Sequence, residues 1–294
     1  NKVTSFAYDQ LNRLLSKTPD ASFNQASITF TYNSLGQRLT MTDANGTTTY
    51  SYDNRNRLIS KVTPQGTLTY TYNAVGNIIT VRSSNVEGVS VDYAYDNLNR
   101  LQTVTDNNLA NGQNQTSYGY DQVGNLQTVI LPNQVETTYQ YNNLNRLTNV
   151  VTAKLGTPIA SYAYSLGAAG NRLSVSELSG RVVNYTYDSI YRLTSETITG
   201  NTNPVLNGSV SYAYDEVGNR LSRTSTLAAV PSQQNIETDN NDRLTTDTYD
   251  DNGSTISADG YSYGYDYKHR IISVIGNEKT ISIKYNAFGN RVEK

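Results

Sequence analysis

One phrase recurs along this chain roughly every 20–27 residues: an aromatic residue, a spacer, Tyr-Asp, then shortly Gly or Asn, Arg or Asn, and Leu or Ile. Clear copies read YSYDNRNRL (Tyr50 to Leu58), YAYDNLNRL (Tyr93 to Leu101), YGYDQVGNL (Tyr118 to Leu126) and YAYDEVGNRL (Tyr212 to Leu221). A fixed period of this length implies a stacked or wound array, because one short unit buries its apolar face only against its neighbours. The phrase runs from Tyr8 to Tyr285 without a change of character. It therefore predicts one continuous array over residues 1–294, of about fourteen repeats, irregular near 225–260. Length alone would have allowed two domains.

One repeat can be read residue by residue. TTTYSY alternates, which puts Thr48, Tyr50 and Tyr52 on one face of a strand. DNRN follows as a turn, with Asp53 placed to accept a backbone N–H two residues on and Asn56 able to take the left-handed conformation. LISKV resumes an extended segment, and TPQG (Thr63 to Gly66) leads into the next strand, TLTYTY. Each repeat is thus a β-hairpin whose neighbour continues the same antiparallel sheet, an all-β architecture.

The position four after the Tyr tests that reading. It holds Gly36, Gly76, Gly124, Gly218, Gly253 and Gly289, or Asn12, Asn56, Asn99 and Asn145, with Asp242, His269 and an awkward Tyr191 elsewhere. Gly, Asn, Asp and His best tolerate the positive φ of a type I turn with a G1 bulge. The Gly and Asn versions partly alternate, which suggests that the sheet repeats in two-hairpin units. Tyrosines at the doublet position (Tyr52, Tyr72, Tyr95, Tyr120, Tyr141, Tyr187, Tyr214) share a face with the aromatic residue two before. Equivalent rings are expected to form rows worth about 0.2–1 kcal/mol per pair. Variable length falls in polar connections, Asp106 to Ser117, Gly200 to Ser209 and Ser225 to Asn235, which read as surface loops.

Composition narrows the function. Net charge is −2 with 16% charged residues, so no global field draws in nucleic acid or anionic lipid. There is no Cys, which removes disulfides, thiolate zinc sites and a cysteine nucleophile. No run of 18 apolar residues is present to insert in a membrane, and the opening NKVTSFAYD enters a repeat without a signal peptide. Both ends look cut from a longer protein.

Each candidate site also has a plain structural role. His269, the one histidine, occupies a turn position, which argues against a catalytic or metal role. Asp239, Asp242, Asp250 and Asp251 offer oxygen ligands for Ca²⁺, but the first three fall on ordinary repeat positions and the segment lacks an EF-hand order. Arg13, Arg57, Arg100, Arg146, Arg192, Arg243 and Arg270 with interleaved tyrosines resemble a single-strand nucleic-acid groove. Asp9, Asp53, Asp96, Asp188, Asp239 and Asp266 in the same turns neutralise that stripe, so ion pairing or stacking along the hairpin row is the preferred reading. Carbohydrate binding by exposed tyrosine rows is the rival function. Tyr-rich glycan-binding repeats of similar period depend on a Gly-Trp phrase, and this chain has no Trp. No acidic residue stands outside a repeat context to suggest catalysis, and no cofactor is implied.

The phrase YDxxG(N)RL with its preceding Tyr-x-Tyr-Asp resembles the YD-repeat or Rhs-repeat family over essentially the whole chain. The stretch Tyr249 to Gly276 and YNAFGNRVEK at Tyr285 to Lys294 are similar to the last repeats before that family's core-end region. The resemblance implies a β-sheet ribbon curled into part of a spiral, hollow shell. In bacterial Rhs proteins and Tc toxin B/C components such a shell encloses a C-terminal toxin, and in teneurins it belongs to an adhesion receptor. It implies a non-catalytic wall segment, partnered by adjoining shell segments or the toxin, and secreted or at the bacterial surface. No DPxG-type motif or variable domain is present. About 28 strands at ~4.8 Å make a ribbon ~130 Å long, hence a ring ~40 Å across and ~20 Å tall. A ~100-residue passenger has a radius of gyration of ~13 Å, so one such turn girdles a cargo without sealing it.

Overall fold

The computed structural model describes residues 3–110, 112–276, 279–285 and 289–294. Among these, strands alternate with short turns, and the helical content is two single 3-10 turns, Ala21–Phe23 and Pro204–Leu206. Twenty strands, from Ser5–Tyr8 to Arg220–Ser225, belong to one antiparallel sheet in which successive strands pair. A five-stranded sheet (Thr248–Tyr249 to Lys279–Ser282) and a two-stranded one (Lys284–Tyr285 with Arg291–Glu293) complete the chain. The residues form two compact units, 1–91 with 245–294, and 92–244.

In the first unit the pair Gly46–Tyr52 and Leu58–Thr63 shows the construction. Thr49 faces Val62, Tyr50 faces Lys61 and Ser51 faces Ser60, then the register slips so that Tyr52 faces Leu58. That slip is the bulge required by the turn. Asp53 N donates to Arg57 O at 2.9 Å, and Asn56 N donates back to Asp53 O at 2.9 Å. The Asp53 carboxylate accepts the N–H groups of Arg55 and Arg57, both at 2.9 Å, so one side chain organises the whole turn. The same turn recurs at Asp9, Asn33, Asn73, Asp250 and Asp266. Residues 245–294 join this unit partly through Tyr267, whose ring lies 6.2 Å from that of Phe23, with the Lys17 ammonium 4.8 Å from its centroid.

The second unit repeats the hairpin with turns at Asp96, Asp121, Asn142, Gly167, Asp188, Asp215 and Asp239. After Arg220–Ser225 the strands stop. Among the described residues up to Leu244, only the isolated bridges Arg223 to Gln233 and Thr238 to Leu244 remain. Here the sequence lacks its Tyr doublet, and the turn alone survives: Asp239 N to Arg243 O at 2.8 Å and Asp242 N to Asp239 O at 3.0 Å.

Among the described residues the rings of the tyrosine face do not pair across their own hairpins, unlike the aromatic neighbours expected. Across these hairpins the first aromatic faces a non-aromatic residue: Phe30 with Met41, Tyr70 with Val81, Tyr118 with Val129, Tyr139 with Val150. Equivalent rings are therefore two strands, or ~9.6 Å, apart, beyond the ~7 Å reach of ring pairing. The opposite face carries hydroxyls bonded across strands, as in Thr31 with Thr40 (2.6 Å), Thr42 with Thr47 (2.8 Å) and Thr71 with Thr80 (2.6 Å).

Burial is sparse. Among the described residues the buried apolar ones are Ile28, Met41, Val175, Val183 and Val210. The accessible surface of 18712 Å² greatly exceeds the about 12,400 Å² expected of a compact monomer of 32.5 kDa. Hydrogen bonds and lateral side-chain contacts, rather than a deep core, must hold the hairpins in line.

Candidate functional site

Those lateral contacts form a repeated clamp on the tyrosine face. In nine hairpins among the described residues the second Tyr of the doublet donates its hydroxyl to a backbone carbonyl at the start of the preceding return strand, while Leu166 stands at that position in the hairpin of Tyr162 and Tyr164. The bonds are Tyr32 to Leu14 O (2.8 Å), Tyr52 to Arg38 O (2.9 Å), Tyr72 to Leu58 O (2.6 Å), Tyr120 to Leu101 O (2.9 Å), Tyr141 to Leu126 O (2.8 Å), Tyr187 to Arg172 O (2.7 Å) and Tyr214 to Leu193 O (2.8 Å). Tyr265 and Tyr285 repeat it to Thr255 O and Ile271 O. Tyr95 is half-buried at the same position. Burial raises the phenols of Tyr72, Tyr95, Tyr141 and Tyr187 above the ordinary tyrosine value.

Arginine supplies the second arm. Arg57 pairs with Asp53 of its own turn (2.7 Å), lays its guanidinium 4.5 Å from the centroid of Tyr72 in the next hairpin, and donates to Asn73 O at 3.1 Å. Arg13 does the same with Asp9, Tyr32 and Asn33 O. Arg192 repeats it with Asp188, Tyr214 and Asp215 O. Arg100 spans Asp96 and Tyr120, and Arg270 spans Asp266 and Tyr285. Each carboxylate also accepts backbone N–H groups. The N–H of Arg13, Arg57 or Arg100 is the leading reason that Asp9, Asp53 and Asp96 lie below the usual carboxylate range. For Asp239 the Arg243 side chain leads, and the value falls to about 2.

The two turn classes have distinct jobs. Asn56, Asn99 and Asn145 have φ of 64°, 61° and 56°, within the left-handed region open to L-residues, and Arg follows each. Gly36, Gly76, Gly124, Gly218 and Gly289 have φ of 80° to 103°, where only Gly is unstrained, and Gln or Asn follows. Arginine reaches forward from an Asn turn onto a Gly turn, where a Cβ at Gly170 would lie 3.4 Å from Arg146 Nη1. The Gly turn reaches forward through an amide: Gln37 Nε2 to Asn56 O at 3.2 Å, Asn125 Nδ2 to Asn145 Oδ1 at 3.0 Å, Asn219 Nδ2 to Asp242 Oδ1 at 2.8 Å. The signal that would have shown this is in the sequence: Arg after Asn, amide after Gly.

Remaining candidates fall into the turns. His269 has φ 57° and its Nδ1 lies 3.2 Å from Ser254 Oγ, the position of the amide link. Tyr191 takes φ 65° although no small residue stands there, with its ring exposed. Asp239 is paired with Arg243, Asp242 accepts Asn219, Asp250 accepts the N–H of Asn252 and Ser254, and Asp251 is exposed. Among the described residues no three His, Cys, Asp or Glu side chains gather to hold a metal ion. A shallow cleft of about 530 Å³ lies between the turns at Asn33 and Asp53, lined by Leu35, Leu39, Tyr50 and Tyr52. Sequence reasoning also missed a set of exposed aliphatic residues, Leu11, Leu35, Val75, Leu98, Val123, Leu144, Ile190 and Val217, all at one turn position.

Known proteins share this architecture. The sequence model of the teneurin YD-shell family matches residues 1–294. No curated protein matches the chain. Among solved structures, TcdB2-TccC3-TEV and TcdB2-TccC3 each superpose with a TM-score of 0.75 at 17% identity, covering 99% of this chain and 18% of theirs. The Tc holotoxin pore of Photorhabdus luminescens, carrying a TccC3 point variant, matches with a TM-score of 0.53 at 15% identity, over 99% of this chain and 21% of that one. The chain thus spans about a fifth of the length of these solved chains, and the likeness at such identity is one of fold.

Proposed function

Because this chain belongs to the teneurin YD-shell family, we propose that it is a wall segment of a hollow β-shell enclosing a C-terminal toxin, secreted or displayed by a bacterium. Adjoining shell segments and the cargo are its partners, and it runs as one continuous array without catalysis of its own. The clamp carries this reading. Asp, Arg and Tyr side chains with the chemistry to bind a ligand are spent joining one hairpin to the next, turn after turn. The low burial supports it as well, since a sheet with so much accessible surface suits a place between a lumen and a covering. The tyrosine hydroxyls committed to main-chain carbonyls count against glycan capture by the doublets.

Limited proteolysis tests the proposal in the full-length parent. The domain following the repeats should resist protease in the wild type. It should become cleavable when Arg57 and Arg100 are replaced by Ala. Equal digestion of that domain in both proteins would overturn the wall reading, and retention of the purified repeat segment on a polysaccharide column would support the glycan reading instead.

A further inference from the structure

The exposed aliphatic residues on the turn edge of residues 92–244 take no part in the clamp. Leu98, Val123, Leu144, Ile190 and Val217 are 65–78% exposed, and Ala169 holds the same position in the turn at Gly167. Scattered apolar residues on a surface need no explanation, but a set at one structural position does. The turn itself does not demand them, because Arg55, Asn241, Asn252 and Lys268 occupy that position elsewhere with the turn intact. Of the preceding turn residues, Asn97, Gln122, Asn143 and Ser189 are neutral and Glu216 is charged, so covering the edge desolvates one acidic side chain at its Val217 end.

Spacing says what covers it. Within 92–244 all these turns lie on one edge, two strands apart, so the positions stand at intervals of ~9.6 Å, with the small Ala169 between Leu144 and Ile190. Another array of the same hairpins presents apolar side chains at that interval. The opposite edge does not match, since its connections range from the tight turn at 155–156 to the loop 200–207. Five aliphatic side chains contribute about 100 Å² each, and with the turns between them approach the about 800 Å² per partner of a stable interface. We propose that two copies of this chain dimerise through this edge, the aliphatic residues of one turn row seated between those of the other about a two-fold axis.

Sedimentation equilibrium over about 1–100 µM tests the proposal. The wild-type chain should show a dimer, and the double variant Val123→Asp with Leu144→Asp should weaken it at least about 100-fold, since two carboxylates from each copy would have to be desolvated. Leu155→Asp on the opposite edge, where Leu155 is 75% exposed, should leave the dimer unchanged. Leu144→Asn places there a residue this turn position already holds at Asn241, and should also weaken the dimer while keeping the wild-type circular dichroism spectrum. A monomer at every concentration overturns the proposal, as does a dimer that survives the double variant or one that Leu155→Asp disrupts equally.

Discussion

Replacing Gly124 with Ala or Val separates backbone strain from crowding. Gly124 has φ +97°, well beyond the left-handed well near +57° in which Asn99 sits at 61°. A Cβ added at Gly124 would find its nearest neighbour, Arg100 Nη1, at 3.9 Å, an ordinary contact. The cost is therefore conformational: about 1–3 kcal/mol of strain, reduced by about 0.4–1 kcal/mol because the unfolded chain also loses freedom. A net loss of about 1–2 kcal/mol follows, with β-branched Val at the upper end. In a cooperative unit the size of residues 92–244, this lowers the melting temperature by about 2–8 °C. Two comparisons sharpen the reading. Gly170 has nearly the same φ, +93°, but its added Cβ would lie 3.4 Å from Arg146 Nη1, so Gly170→Ala should cost more than Gly124→Ala. Asn99→Gly should cost no more than about 1 kcal/mol, through backbone entropy alone. Thermal unfolding followed by circular dichroism measures all four variants. A Gly124→Val protein that melts with the wild type, or an Asn99→Gly protein as unstable as Gly124→Val, would refute the division between turn classes.

Three further outcomes are expected. Tyr141→Phe removes the hydroxyl from Leu126 O and should cost about 0.5–1.5 kcal/mol in urea unfolding, with no change in far-ultraviolet spectrum. Acid should loosen the turns: the carboxylates of Asp9, Asp53, Asp96, Asp188 and Asp239 are held below 3.8, so their stabilisation is complete above that value and disappears as pH falls through the folded values, about 2 for Asp239. The melting temperature should thus hold from pH 7 to above 4 and drop towards pH 2. Alkali acts with the opposite sign on the raised phenols of Tyr72, Tyr141 and Tyr187. Their stabilisation is full below pH 10 and is lost as pH rises through their higher folded values, which a tyrosinate absorbance titration should show as ionisation coincident with unfolding.

The hairpin was readable because its information is local. Asp, a tolerant residue at positive φ, and alternating Thr and Tyr lie within one short window, and the observed turn at Asp53 uses those residues. The pairing partners of the tyrosines were not, because the bulge shifts the register at Tyr52 and sets Lys61 or an aliphatic residue opposite the first ring. The target of Arg57 lies in the following hairpin, at Tyr72 and Asn73, where composition gives the partners but no direction of reach. The packing of Tyr267 against Phe23 and Lys17 joins segments far apart in the chain and left no periodic trace.

The forward reach of arginine onto a glycine turn, and of an amide onto an asparagine turn, imposes a parity on how such a protein can grow. Loss of a single hairpin would seat an arginine such as Arg100 against a turn bearing a side chain, or leave two amides facing each other with no guanidinium between them. Duplications and deletions in the gene should therefore be tolerated in even steps and selected against in odd ones. Length in this chain is a digital quantity, counted in pairs.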